Sequence, residues 1–333
     1  MNWIIPPISS YLFADTSGGI NAILNPFDLY TIPLDDWIND LISFIVDNFR
    51  PLFQTIRIPI SWILEGLQNI FLTIPPLILL LLLGAIAWQL AGWRIGLFTL
   101  LGLTLLGFVD AWEPAMISFS LVITAVLFCL LVGIPLGIAC ASNNKIESIM
   151  RPLLDAMQTI PTFVYLVPVV MLFGIGEVPG IIATIVYALP PLIRLTNLGI
   201  RQVPEEVVEA ALSFGSTPRQ VLWEAQIPLA MPTILAGVNQ TVLFALSMSV
   251  ITAMISVPGL GLMVLRGVNR LDVGSAAVGG LGIVILAIML DRVTQAVGQV
   301  GTQKSWQERG LIGFILTCLR NLGFRQSRAK VNP

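Results

Sequence analysis

Long apolar runs separated by short polar breaks set the layout of this chain. A helix needs about 20 mainly apolar residues to cross roughly 30 Å of hydrocarbon. Runs of that kind lie at 74–93, 95–111, 115–140, 153–175, 179–198, 233–255 and 275–297. The pattern predicts an all-α polytopic membrane protein with about seven transmembrane helices, the first two divided only by Gly92, Trp93 and Arg94. Gly133-x3-Gly137 and the glycines Gly279, Gly280 and Gly282 would let neighbouring helices approach closely.

Before the first run the periodicity changes. Ile38, Leu41, Ile42, Ile45, Val46 and Phe49 recur at helical spacing, with Asn39, Asp40, Ser43 and Asp47 opposite. This predicts an amphipathic helix over 36–50 that ends at Pro51, and a less regular one over 59–71. Residues 1–72 therefore read as an N-terminal extension on the outer side, lying along the membrane surface or packed on the bundle. Its opening residues, MNWIIPPISS, lack the basic stretch and cleavage site of a signal peptide. Residues 73–298 form the membrane domain, and 299–333 a basic tail whose apolar run is too short to span.

One segment between two long apolar runs has a different character. Residues 204–232 read as a short helical hairpin. Pro204 suits a first turn, Glu205 and Glu206 complement the positive end of the helix dipole, and Gly215 is a left-handed stop. Val207, Ala210, Ala211 and Phe214 make an apolar stripe. A second helix starts with Thr217 as N-cap, Pro218 at N1 and Gln220 at N3, a capping box, and Pro228 and Pro232 mark the return to the membrane. Helices of about ten residues are marginal alone in water. The stripe must therefore pack on something, either the ends of the spans or a partner.

Charge fixes the expected orientation, because short basic loops stay in the cytoplasm. With the N-terminus outside, only Arg50, Arg57, Arg266 and Arg270 among the 17 Lys and Arg lie outside. The hairpin and the C-terminus are then cytoplasmic. Composition supports the membrane reading: 56% of residues are hydrophobic and 11% charged, and the mean hydropathy is +0.88. The basic residues form no patch that would bind nucleic acid. Cys129, Cys140 and Cys318 have no paired spacing, which argues against a disulfide framework or a metal site.

Several chemistries have little to work with. The chain has no histidine, so imidazole cannot serve as base or relay. The lysines Lys145, Lys304 and Lys330 follow Asn144, Gln303 and Ala329, so none completes the Gly-Lys pair of a P-loop. If ATP drives this protein, another subunit hydrolyses it, and the chain is a transport subunit rather than an enzyme. Asp110, Glu113, Asp155, Glu177, Asp291 and Arg292 all fall near span ends, where charges reach water; a proton- or ion-coupled carrier would need them deeper. Polar or aromatic residues within the runs are candidates for a translocation path: Gln158, Thr159, Phe163, Tyr165, Asn197, Asn239, Gln240, Ser247, Ser249 and Thr252. The polar ones could equally bind helices together. Phe163, Tyr165, Phe173, Tyr187 and Phe244 make no aromatic cage visible in the sequence, and core packing accounts for them.

Glu209-Ala210-Ala211, three residues, Gly215, and Pro228 thirteen residues later resemble the EAA loop, E-A-A-x3-G-x9-I-x-L-P, of membrane subunits of ATP-binding-cassette importers. Ala225 and Ile227 replace the isoleucine and leucine. The segments 155–176, 188–211 and 227–255 are similar to permeases of glycine betaine and proline betaine importers, over roughly residues 110–298. The resemblance implies a type I importer permease fold and a homodimer with two ATPase subunits, which bind the ATP and Mg. An external receptor would deliver the solute. It also implies that Glu209, Ala210, Ala211, Gly215 and Pro228 couple to the ATPase, with Glu209 facing a basic residue there. A permease for choline, carnitine or an amino acid is the nearest alternative; an autonomous channel, a secondary carrier or a membrane scaffold lies further off.

Overall fold

The computed structural model describes residues 33–298. The signal-peptide reading of the first residues, the basic tail and Cys318 fall outside them. Every regular element among the described residues is helical.

The first helix, α1, runs unbroken over Leu34–Thr73 with Pro51 and Pro59 inside it. The expected stop at Pro51 is therefore wrong, and the two amphipathic helices are one. A proline removes a single helical hydrogen bond. Here the deprived carbonyls belong to Asp47 and Thr55, both exposed, so solvent can satisfy them. Up to Arg50 this helix belongs to a unit of its own, and the second unit begins at Pro51. Within the second unit, Ile60 and Leu64 pack with Ala125, Val178 and Ile181. Gln68 donates to both carboxylate oxygens of Glu177 at 3.1 Å.

Next come α2 (Pro76–Ala91) and α3 (Trp93–Phe108). They form an antiparallel pair turning at Gly92, whose φ of 91° suits glycine. The structure thus places the first two apolar runs as separate helices. Each has 16 residues, about 24 Å at 1.5 Å per residue.

Among the described residues, four helices are individually long and apolar enough to cross a membrane: α4 (Trp112–Ser142), α7 (Glu177–Arg201), α9 (Pro218–Ile255) and α11 (Val273–Val297). The bent pair α1–α2 would make a fifth. The run at 153–175 is not the single helix expected. It is divided between α5 (Asn144–Thr159) and α6 (Leu166–Phe173), with turns over 160–165. Pro161 lies in the break and removes a donor where the helix would continue. Between α7 and α9 sits α8 (Glu205–Ser213), and between α9 and α11 sits α10 (Leu260–Arg270).

The core is built around α7, which packs chiefly on α9 and α4. Leu192 and Ile193 from α7, Met116 from α4 and Leu246 from α9 are almost wholly enclosed. Gly133 and Gly137 do what their spacing suggests. An added Cβ at Gly137 would lie 2.5 Å from Thr196 Cβ, and one at Gly133 2.8 Å from Leu192. Gly279 and Gly282 likewise meet α10, but Gly280 faces open space.

Candidate functional site

The hairpin is realised nearly residue for residue in its first half. Gly215 has φ of 85°; Ser216 N–H donates to the Ala211 carbonyl at 3.1 Å and Gly215 N–H to that of Leu212 at 2.9 Å. Those two bonds define a Schellman stop, which uses carbonyls that the helix end leaves free. An added Cβ at Gly215 would touch nothing, so only backbone strain selects glycine there. The capping box is also present: Thr217 N–H donates to Gln220 Oε1 at 2.8 Å, and Gln220 N–H to Thr217 Oγ1 at 3.4 Å.

The second half differs from expectation. There is no separate second helix that returns at Pro228. Pro218 opens α9, which passes through a π-helical stretch, Val221–Gln226, and continues past Pro228 and Pro232 into the span. The wider π turn sits where the ring of Pro228 would crowd the Glu224 carbonyl. One arm of the hairpin is thus the end of a membrane helix. Its base is fixed by Ile200, Ala230 and Ile234, which pack together with Leu222 and Ile227 against it.

The other arm, α8, contains no buried residue. Glu209 and Ala210 are exposed, as is Pro228 on the second arm, and Ala211 is half-buried. Phe214 is 91% exposed and Trp223 on the facing arm 62%. Self-packing on the spans therefore does not cover the apolar stripe. The hairpin presents an apolar face rimmed by Glu205, Glu206 and Glu209.

Behind it stands a polar clamp that sequence reasoning missed. Arg201, at the end of α7, donates to the Cys140 carbonyl, Asn144 Oδ1 and Asn197 Oδ1, each at 2.8 Å. It also pairs with Glu147 at 3.0 Å, which Arg151 contacts at the same distance. Partial desolvation works to raise the Glu147 carboxyl. Hydrogen bonds from Arg151 and Asn197 with the charge of Arg201 outweigh it and hold the pKa below the ordinary value of 4.5. Asp155 pairs with Arg194. The clamp joins α4, α5 and α7 directly beneath the hairpin. Asp155 reads as a lone snorkelling group in the sequence, and nothing there singles out Glu147 or Arg201; only their convergence in space reveals the network.

The path candidates separate into groups. Asn197 belongs to the clamp. Asn239 donates to Asp291 Oδ1 at 2.8 Å and bridges α9 to α11. Thr252 donates to carbonyls on its own helix. With Ser249, Ser118 and Thr184 it lines a cavity of about 20 Å³, room for about one water. Ser249 Oγ and Tyr165 Oη are buried without a partner. Gln240 and Ser247 are exposed on α9, as are Thr159 and Phe163 beside the break, while Gln158 is half-buried. No group of metal-ligating residues occurs among the described residues.

Residues 133–299 match the model of the binding-protein-dependent transport system inner membrane component family. The glycine betaine/proline betaine transport system permease protein ProW of Escherichia coli (strain K12) is 54% identical over 88% of this chain and 84% of its own length. The chain belongs to this family of inner membrane components. The glycine betaine/carnitine transport permease protein GbuB of Listeria monocytogenes (strain 10403S) is 47% identical over 80% of this chain and 95% of its own. Among solved structures, an inward-facing MetNI methionine ABC transporter chain aligns with a TM-score of 0.52, covering 56% of this chain and 93% of that one at 18% identity. That likeness concerns the fold. This inner membrane component is accordingly a multi-pass transport subunit with a type I importer permease fold, and the matched span holds the clamp, the break and the hairpin.

Proposed function

We propose that the chain is the permease of an ATP-driven importer for glycine betaine or a closely related compatible solute. The observation that carries this reading is the hairpin: an uncovered apolar and acidic face on a short helix, joined through a Schellman turn to a helix that continues into the membrane. Such a face suits a groove on a separate ATPase subunit, where Glu209, Ala210, Ala211 and Gly215 would seat and Glu209 would meet a basic residue. Pro228 stands at the transition into the span.

The functional unit is a homodimer with two ATPase subunits, which bind ATP and Mg; this chain binds neither. The hairpin and C-terminus face the cytoplasm, and the N-terminus lies outside. An external receptor approaches the opposite end, where Arg266 and Arg270 line a groove with Glu113 and Asp272. ATP binding draws the ATPases together, the hairpins follow, and the cavity between permeases changes sides. ATP drives this only so far as the hairpin contacts differ between the two states. The solute assignment draws on relatives named for glycine betaine at 54% and 47% identity. Uptake of labelled glycine betaine, choline, carnitine and proline by vesicles holding the full complex, with ATP on the ATPase side, tests it. Preferred betaine uptake is the expected result; selective uptake of choline or proline would overturn the solute assignment.

A further inference from the structure

The break at 160–165 stands roughly 9–15 Å inside one end of the bundle, at 1.5 Å per residue. Tyr165 and Leu166 pack with Ala183, Tyr187, Met248, Ile251 and Ile255. Tyr187 lies about 15 Å along an α7 of about 37 Å, at 1.5 Å per residue. Yet this non-helical stretch is open: Ile160 is 43% exposed, Phe163 59% and Val164 50%. Hydrocarbon cannot cover such backbone, because freed N–H and carbonyl groups would find no partner there. Water or protein must face it.

A second observation on another helix agrees. Gln240 and Ser247 are exposed on α9 with Phe244 between them, and the spacing of four and three residues puts all three on one helix face. The Gln240 amide, exposed within the span, suits an aqueous cavity better than lipid, while the Ser247 hydroxyl donates to the Leu243 carbonyl of its own helix at 2.9 Å. The Phe244 ring lies 5.2 Å from that of Tyr187, and both residues are only half-buried. Aromatic groups scattered in the sequence thus meet at a broken helix, the arrangement in which membrane transporters place their substrates.

We propose that the 160–165 break with Tyr165, Tyr187 and Phe244 forms a transit site for a quaternary ammonium group within the permease. The ring faces supply cation-π attraction without a fixed charge. Contact of that strength holds the solute briefly without trapping it. The proposal rests on the betaine reading, so its test has one arm that does not depend on the solute.

In that arm Phe163→Cys is introduced into the assembled complex with Cys129, Cys140 and Cys318 replaced, and exposed to a quaternary-ammonium methanethiosulfonate. Leu131→Cys, an exposed apolar position on α4, is the control. Labelling of Phe163→Cys alone is expected. No labelling, or equal labelling of both, overturns the site whatever the solute. In the second arm, Tyr187→Leu and Phe244→Leu should lower betaine uptake about three- to thirty-fold while receptor-stimulated ATP hydrolysis persists, and Tyr187→Phe should restore it. Undiminished uptake, or joint loss of uptake, hydrolysis and assembly, overturns the cation-π role. If the wild type moves no betaine while Phe163→Cys is labelled, the betaine reading and the ammonium site fall, and the aqueous lining stands.

Discussion

At the scale of single residues, Gly215 carries the sharpest expectation. Its φ of 85° and the empty space around it separate backbone strain from crowding. Gly215→Val forces a β-branched residue into the left-handed region, at a cost of roughly 1–3 kcal/mol, whereas Gly215→Asn should be tolerated. The valine variant should lose coupled uptake while keeping its membrane helices; equal uptake by the two variants would contradict the turn. Glu209→Lys reverses an exposed charge that meets no partner within the described protomer's salt bridges. It should weaken ATPase association or separate hydrolysis from uptake, as copurification and paired rate measurements would reveal. Arg201→Lys replaces a planar group serving four partners with a point charge. The side chain is 35% exposed, so the loss is modest, about 1–2 kcal/mol, and a lower Tm in detergent would register it. Because Glu147 has a pKa below 4.5 when folded, its stabilisation is complete above that value and fades as pH falls through the depressed one. Glu147→Gln should flatten the dependence of Tm on pH in the acid range and leave its slope above pH 4.5 unchanged.

Among elements, the apolar runs and the capped hairpin could be read in advance because their signals are local: length, periodicity, an N-cap, a glycine at the stop. What escaped reading depended on partners distant in sequence or on the response of a helix to proline. Pro51 looked like a stop, Pro59 like a helix start, and Pro228 and Pro232 like punctuation before the membrane, yet each lies within a helix; Pro161, inside an apolar run, accompanies a real break. Hydropathy does not distinguish them. Arg201, Glu147 and Asn197 are separated by as many as 54 residues in the sequence yet form one clamp. Asp155, Glu177 and Asp291 also turned out to be partnered by Arg194, Gln68 and Asn239. The π-helical stretch had no sequence signal beyond the following Pro228. It makes α9 a single lever from Pro218 to Ile255, so an Ala-Gly pair in place of Val221 and Leu222 should weaken coupling more than the same change in the exposed turn at Ser216 and Thr217. Paired ATPase and uptake rates would decide this.

For the whole molecule, an isolated chain leaves two kinds of surface uncovered. One is the apolar and acidic hairpin end; the other is the polar and aromatic face beside the 160–165 break. In the proposed assembly an ATPase answers the first and a second permease copy the second, with the solute passing between the copies. The central claim is that energy enters through the hairpin from a separate ATPase. Its most direct test is accumulation of labelled glycine betaine against a gradient in vesicles containing permease, ATPase and receptor, compared with the same vesicles carrying Glu209→Lys or lacking the ATPase. Accumulation that needs ATP and the ATPase and collapses with Glu209→Lys is the predicted result; accumulation by the permease alone, or undiminished in the variant, would contradict it.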